Sequence, residues 1–159
     1  MQQLKYLWKA SLVVILLILN LNGNGQSVDS PSKQARNNIN AYLGVFDANI
    51  NYERNIIQSS KSYSNLRAGF GYAMLWTAGE GNYINAAFIH LMGERNSHLE
   101  IDLGLKYMVT NSIENPDFSE TVIPDIFVGY RYEKPSGGFV LRFGLNYPTV
   151  INLGLGFKF

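Results

Sequence analysis

The 159 residues suit a single domain, and 13 Lys plus Arg against 12 Asp plus Glu leave no basic surface of the kind nucleic-acid binding needs. Cysteine is absent, which excludes disulfides, thiolate metal sites, a cysteine nucleophile and a lipid-modified cysteine anchor. Ten Tyr, nine Phe and 15 Gly favour strands, tight turns and close backbone contacts over helices.

Residues 1–25 read as an export signal. Lys5 and Lys9 make a positive start, Ala10 to Leu19 form a short apolar run, and Gly23-Asn24-Gly25 supply small residues for cleavage. The expected cut follows Gly25. An uncleaved membrane helix would need about 20 apolar residues, roughly twice this run. Residues 26–39 are polar and read as a leader.

From residue 40 the sequence alternates with period two. Residues 40–57 hold two short strands if a turn falls near Asp47-Ala48. Between 66 and 76, Leu66, Ala68, Phe70, Tyr72, Met74 and Trp76 oppose Arg67, Gly69, Gly71 and Ala73. Residues 83–92 are mostly apolar on both faces, though Ala86 and Ala87 are small. Between 99 and 109, Leu99, Ile101, Leu103, Leu105, Tyr107 and Val109 oppose Glu100, Asp102, Gly104, Lys106 and Met108. Between 124 and 133, Ile126, Val128, Tyr130 and Tyr132 oppose Asp125, Phe127, Gly129, Arg131 and Glu133. Phe139 to Tyr147 and Ile151 to Phe159 repeat the pattern, with Arg142, Gly144, Asn152, Gly154, Gly156 and Lys158 on the second face. A helix, with period 3.6, could not keep these sets apart. The count is eight strands. The intervening stretches, Ser59 to Ser64, Ala78 to Gly81, Gly93 to Ser97, Thr110 to Glu120, Glu133 to Gly138 and Tyr147 to Val150, have turn composition.

Alternation does not say which face is inside. A soluble barrel turns its apolar face inward, whereas a membrane barrel turns it to lipid. The second face is Gly- and Ala-rich with isolated charges, as a narrow eight-stranded lumen requires. The export signal agrees, and so do aromatic residues near strand ends: Trp76, Tyr83, Tyr107, Tyr132, Tyr147 and Phe159. The lumen face is then expected to carry Glu53, Glu100, Asp102, Asp125 and Glu133 against Arg67, Lys106, Arg131, Arg142 and Lys158. Equal numbers can pair, which a closed interior demands.

A series of motifs, taken in order, resembles a known group. They are Asn51-Tyr52-Glu53-Arg54, Leu66 to Tyr72, His98 to Tyr107, Gly129-Tyr130-Arg131-Tyr132, Gly137 to Gly144 and Gly154 to Phe159. Together they are similar to a family of short outer-membrane barrel proteins without a settled activity, whose fold is similar to the OmpA-like transmembrane barrel. The resemblance covers most of 40–159. The chain departs from it at His90, where the family pattern has Tyr, and at Asn85, where it has Pro. The resemblance implies an outer-membrane location and lipid and lipopolysaccharide as surroundings. The apolar face ending in Phe159 also resembles the signal read by outer-membrane assembly machinery.

Candidate chemistry is sparse. Ser97 and His98 stand near Glu100, but neighbours on a strand point to opposite faces and make a poor nucleophile–base pair. His90 reads as a boundary side chain. Glu100 and Asp102 share a face and are expected to pair with Arg67, Lys106, Arg131 or Arg142. No catalytic residue, cofactor or metal is assigned. The acidic segment 110–121 is the longest connection and reads as a solvated loop, outside the cell if the amino terminus is periplasmic.

The sequence thus predicts an all-β, eight-stranded antiparallel up-and-down transmembrane β-barrel over 40–159. Its expected role is structural or interactive, with a charge-paired lumen and no enzymatic activity. A lipid- or lipopolysaccharide-modifying enzyme, or a soluble periplasmic barrel around an apolar ligand, are the rival readings.

Overall fold

The computed structural model describes residues 35–59, 61–75, 79–93, 95–109, 122–134 and 136–159. The expected export signal, residues 26–34 of the leader, Trp76 and the segment 110–121 lie outside the described residues.

Eight strands follow one another: β1 (Asn37–Gly44), β2 (Asp47–Gln58), β3 (Ser62–Leu75), β4 (Gly79–Met92), β5 (Ser97–Met108), β6 (Val122–Glu133), β7 (Gly138–Tyr147) and β8 (Val150–Lys158). There is no helix among the described residues. Each strand pairs antiparallel with the next, and β8 pairs with β1, so the sheet closes into a barrel. Closure leaves no unpaired edge. Following partners through all the ladders returns to β1 about ten residues along from the start, a stagger that tilts the strands roughly 40° to the axis. An eight-stranded barrel of this kind has an interior just wide enough for its own side chains.

Two boundaries differ from the sequence reading for one reason. β1 begins at Asn37, within the stretch read as leader, because Asn38 and Asn40 point into the lumen and are buried. The first turn falls at Val45-Phe46, not at Asp47-Ala48, because Asp47 is a buried lumen residue opening β2. A polar interior makes inward-facing residues resemble loop residues. Elsewhere the strands reach further than their apolar runs. β3 starts at Ser62, and a bulge between Asn55 and Ile57 accommodates the extra length opposite it.

The two faces have opposite chemistry. Outward residues are apolar and exposed, among them Ile50, Phe70, Leu103, Leu145 and Phe157. Inward residues include Glu53 and Arg131, each with no exposed surface. Apolar side chains also turn inward at two levels. Ala73, Leu75, Tyr83, Met108 and Ile123 cluster at the end bearing the β1–β2 turn, and Tyr63, Ile89 and Leu91 cluster at the other.

Candidate functional site: the ionic lumen

The period of two puts Glu100 and Asp102 of β5, and Arg131 and Glu133 of β6, on the inner face. Stagger then decides which of these charges meet. Glu53 on β2 lies directly opposite Arg67 on β3 in the ladder, and Arg67 Nε donates to Glu53 Oε1 at 3.1 Å. Arg67 Nη2 also reaches β5, at 3.3 Å from Glu100 Oε1 and 2.7 Å from Asp102 Oδ2.

Arg131 and Arg142 are opposite one another on β6 and β7, a like-charge pairing that is unfavourable alone. Glu100 resolves it by lying between them. Its Oε1 is 3.1 Å from Arg142 Nη2 and its Oε2 is 3.7 Å from Arg131 Nη1. Arg142 Nη2 also donates to Asp102 Oδ2 at 2.8 Å. Arg131 donates to Glu133 at 2.6 Å and, across the lumen, to Glu53 Oε2 at 2.7 Å. β2 and β6 are four strands apart in a barrel of eight, so this last bond spans the interior. Lys158 bonds Glu133 at the end where β8 finishes.

Tyr42 stands in the middle of this network. Its ring centroid lies 4.1 Å from the guanidinium carbon of Arg142 and 4.7 Å from that of Arg67. Its hydroxyl donates to Glu53 Oε1 at 2.5 Å, and Asn38 Nδ2 donates to Glu53 Oε2 at 3.2 Å. Arg142 also lies 3.6 Å over the ring of Phe127. Gly154 leaves the room for this stack, since a Cβ there would come within 2.5 Å of both Arg142 Cγ and the Tyr42 ring.

Lys106 and Asp125 form a second cluster. Lys106 meets neither Glu100 nor Asp102. It lies further along β5, beyond Gly104, and its ammonium group is 2.9 Å from Asp47 Oδ2 and 3.3 Å from Asp125 Oδ1. Neutral donors complete the cluster. Asp47 Oδ2 accepts from the Tyr83 hydroxyl at 2.8 Å and from Asn49 Nδ2 at 3.3 Å. Asp125 Oδ1 accepts from Asn146 Nδ2 at 2.9 Å.

Sequence reasoning misses Tyr42, Asp47 and Tyr83. Tyr42 is two residues on from Asn40, so parity alone assigns it inward. Asp47 is hidden by its turn-like composition. Tyr83 corrects the reading of a boundary aromatic: it has no exposed surface and shares the inner face of β4 with Asn85 and Ala87.

Serine and histidine do not converge where their adjacency invites. His98 is buried inward, its ring edge-on to Tyr63 at 5.3 Å, while Ser97 Oγ faces outward, 3.0 Å from the Tyr130 hydroxyl. On the outer face Ser64 Oγ lies 3.0 Å from His90 Nδ1. Ser64 is only 3% exposed, and no carboxylate among the described residues forms an ion pair with His90. No group of potential metal ligands occurs among the described residues. Glu53, Glu100 and Asp102 each face two or more cations, and these ion pairs hold the interior together, although Glu100 Oε2 and Asp102 Oδ1 accept no hydrogen bond.

No protein-family model, curated protein or solved structure matches the chain.

Proposed function

We propose that the protein is an integral outer-membrane β-barrel with a lumen closed by its own paired charges, serving a structural or interaction role without enzymatic activity. One observation carries the reading: polarity is inverted relative to a water-soluble protein. Monomers in water seldom expose an apolar patch beyond a few hundred Å². Here exposed Ile, Leu, Val and Phe ring the outer face of every strand, while Glu53, Arg67, Glu100, Asp102, Arg131 and Arg142 are withdrawn inside. Hydrocarbon outside the barrel accounts for both. A closed ladder satisfies the backbone without water, as a bilayer demands. Outward tyrosines such as Tyr52, Tyr130 and Tyr147 suit lipid–water boundaries. The expected export signal and the motifs resembling the OmpA-like barrel family point to the outer membrane.

The geometry supports a plugged lumen. Bonds from Arg131 to Glu53 and from Lys106 to Asp47 cross the interior, and the two apolar clusters narrow it on either side. An apolar ligand would find guanidinium and carboxylate groups where it needs hydrocarbon, which disfavours a soluble carrier. A lipid-modifying enzyme would draw on Ser64 and His90, but a serine so enclosed is a poor nucleophile.

The test is reconstitution. The protein folded in detergent should be β-rich, migrate as a compact band on an unheated gel, and stay silent in planar bilayers. A large steady conductance would reject the plugged lumen. Release from membranes by carbonate alone would reject membrane integration.

A further inference from the structure

We propose that the rim where β1 begins and β8 ends is a collar for anionic phospholipid headgroups in the adjoining leaflet. The inference rests on the membrane reading above and adds a lipid preference to it. Every turn at this end carries a cation: Lys61 between β2 and β3, Arg95 between β4 and β5, and Lys134 between β6 and β7. Arg36, just before β1, and Arg54, on the outer face of β2, complete the set. Arg36, Lys61, Arg95 and Lys134 are exposed and Arg54 is half-buried. None of the five belongs to the ion pairs of the lumen. Glu94 is the one acid in these three turns.

The rim is held together by its backbone. The Lys61 carbonyl accepts from Gly93 N–H at 3.1 Å, that of Asn96 from Glu133 N–H at 3.0 Å, and that of Arg36 from Asn55 N–H at 2.8 Å. The cations therefore stand on fixed supports. The height of Arg54 and Lys134 relative to the apolar band is also set. Along the outer face β2 runs Ile50, Tyr52, Arg54, and β6 runs Val128, Tyr130, Tyr132, with Lys134 next. Hydrocarbon, phenol, then cation is the order of chemistry from the acyl region of a leaflet to its phosphates.

The connections between β1 and β2, β3 and β4, β5 and β6, and β7 and β8 differ in sequence: segments 45–46, 76–78, 110–121 and 148–149 contain no Lys or Arg, whereas Glu114, Asp117 and Glu120 lie within 110–121 and Glu80 follows 76–78. The charge asymmetry thus favours an anionic leaflet at one end of the barrel only.

The probes are vesicles of phosphatidylcholine alone, vesicles with about a third phosphatidylglycerol, and phosphatidylcholine vesicles containing lipid A. The readout is the midpoint of thermal unfolding after the chain has folded into each. Phosphatidylglycerol should raise the midpoint by several degrees, and roughly 0.5 M salt should abolish the gain by screening. The variant R36Q/R54Q/K61Q/R95Q/K134Q should fold into all three and show no gain. Equal midpoints with and without phosphatidylglycerol, a gain retained by the variant, or a gain with lipid A alone would overturn the collar. Failure to insert into any vesicle would instead overturn the membrane reading, and the collar with it.

Discussion

The two charged regions of the lumen solve one problem in different ways. Around Tyr42, four carboxylates (Glu53, Glu100, Asp102, Glu133) meet four cations (Arg67, Arg131, Arg142, Lys158), and the charges balance. Around Lys106 they do not: one cation faces two carboxylates, Asp47 and Asp125. The deficit is met in part by Tyr83, Asn49 and Asn146, which donate hydrogen bonds without carrying charge, while Asp47 Oδ1 accepts none. A buried charge needs donors or opposite charge, and the barrel uses whichever the local strands supply. Guanidinium forks dominate where several carboxylates converge, since one Arg can serve acids on different strands. A single ammonium suffices where neutral donors share the load.

The largest effect is expected at the centre of the balanced region. Arg131→Met removes the bonds to Glu53 and Glu133, at 2.7 and 2.6 Å, and leaves the network with one carboxylate in excess. Breaking a buried ion pair by deleting one partner costs about 3–5 kcal/mol. The denaturant midpoint for loss of the compact gel band should fall accordingly. Arg131→Lys keeps the charge but not the fork, and should lie between Met and the native residue. A loss below about 1 kcal/mol for Arg131→Met would mean that the interior is solvated and that charge balance does not govern it.

Neutralising one acid in each region sharpens the contrast. Glu53→Gln leaves Arg67 and Arg131 sharing a neutral amide with one oxygen where each had a carboxylate oxygen, and should cost about 2–3 kcal/mol. Asp125→Asn instead brings the Lys106 region to one cation and one carboxylate. Asn keeps an acceptor for Asn146 or Lys106, so the change should stay within about 1 kcal/mol of neutral. Equal losses in the two variants, measured by the same denaturant midpoint, would show that charge count does not distinguish the regions.

The sequence makes faces legible and partners illegible. In β5, the parity of residue number groups Glu100, Asp102 and Lys106 without reference to structure. Their partners depend on register and stagger, which no local pattern encodes. Lys106 accordingly pairs with Asp47 on β2, a residue 59 positions away, and not with the carboxylates of its own strand. β1 is obscured because Asn38 and Asn40 supply lumen polarity in a segment whose composition matches a loop. Tyr83 invites the wrong reading because an aromatic near a strand end suits a boundary as well as a lumen. Its parity with Asn85 decides between the two. Glu53, with Tyr and Arg on either side, is legible by alternation, yet its bond to Arg131 across the interior needs the closed barrel.

The smallest effect concerns how a neutral donor is aimed. Thr149 Oγ1 donates to Asn146 Oδ1 at 2.5 Å, which fixes the orientation of the amide so that its nitrogen faces Asp125 Oδ1 at 2.9 Å and the Ile126 carbonyl at 3.3 Å. Thr149 has no exposed surface, so water does not replace its hydroxyl in this bond. Thr149→Val preserves shape but removes the donor. The Asn146 oxygen is then buried without its partner, and the amide can turn its oxygen toward Asp125, where it repels. The expected loss is about 1 kcal/mol, near that of one hydrogen bond. Thr149→Ser should recover most of it. The same loss should shrink in an Asp125→Asn background, because an amide at 125 accepts either orientation of its neighbour. A double-mutant cycle with no coupling between positions 149 and 125 would show that Asn146 does not stand in for the missing cation.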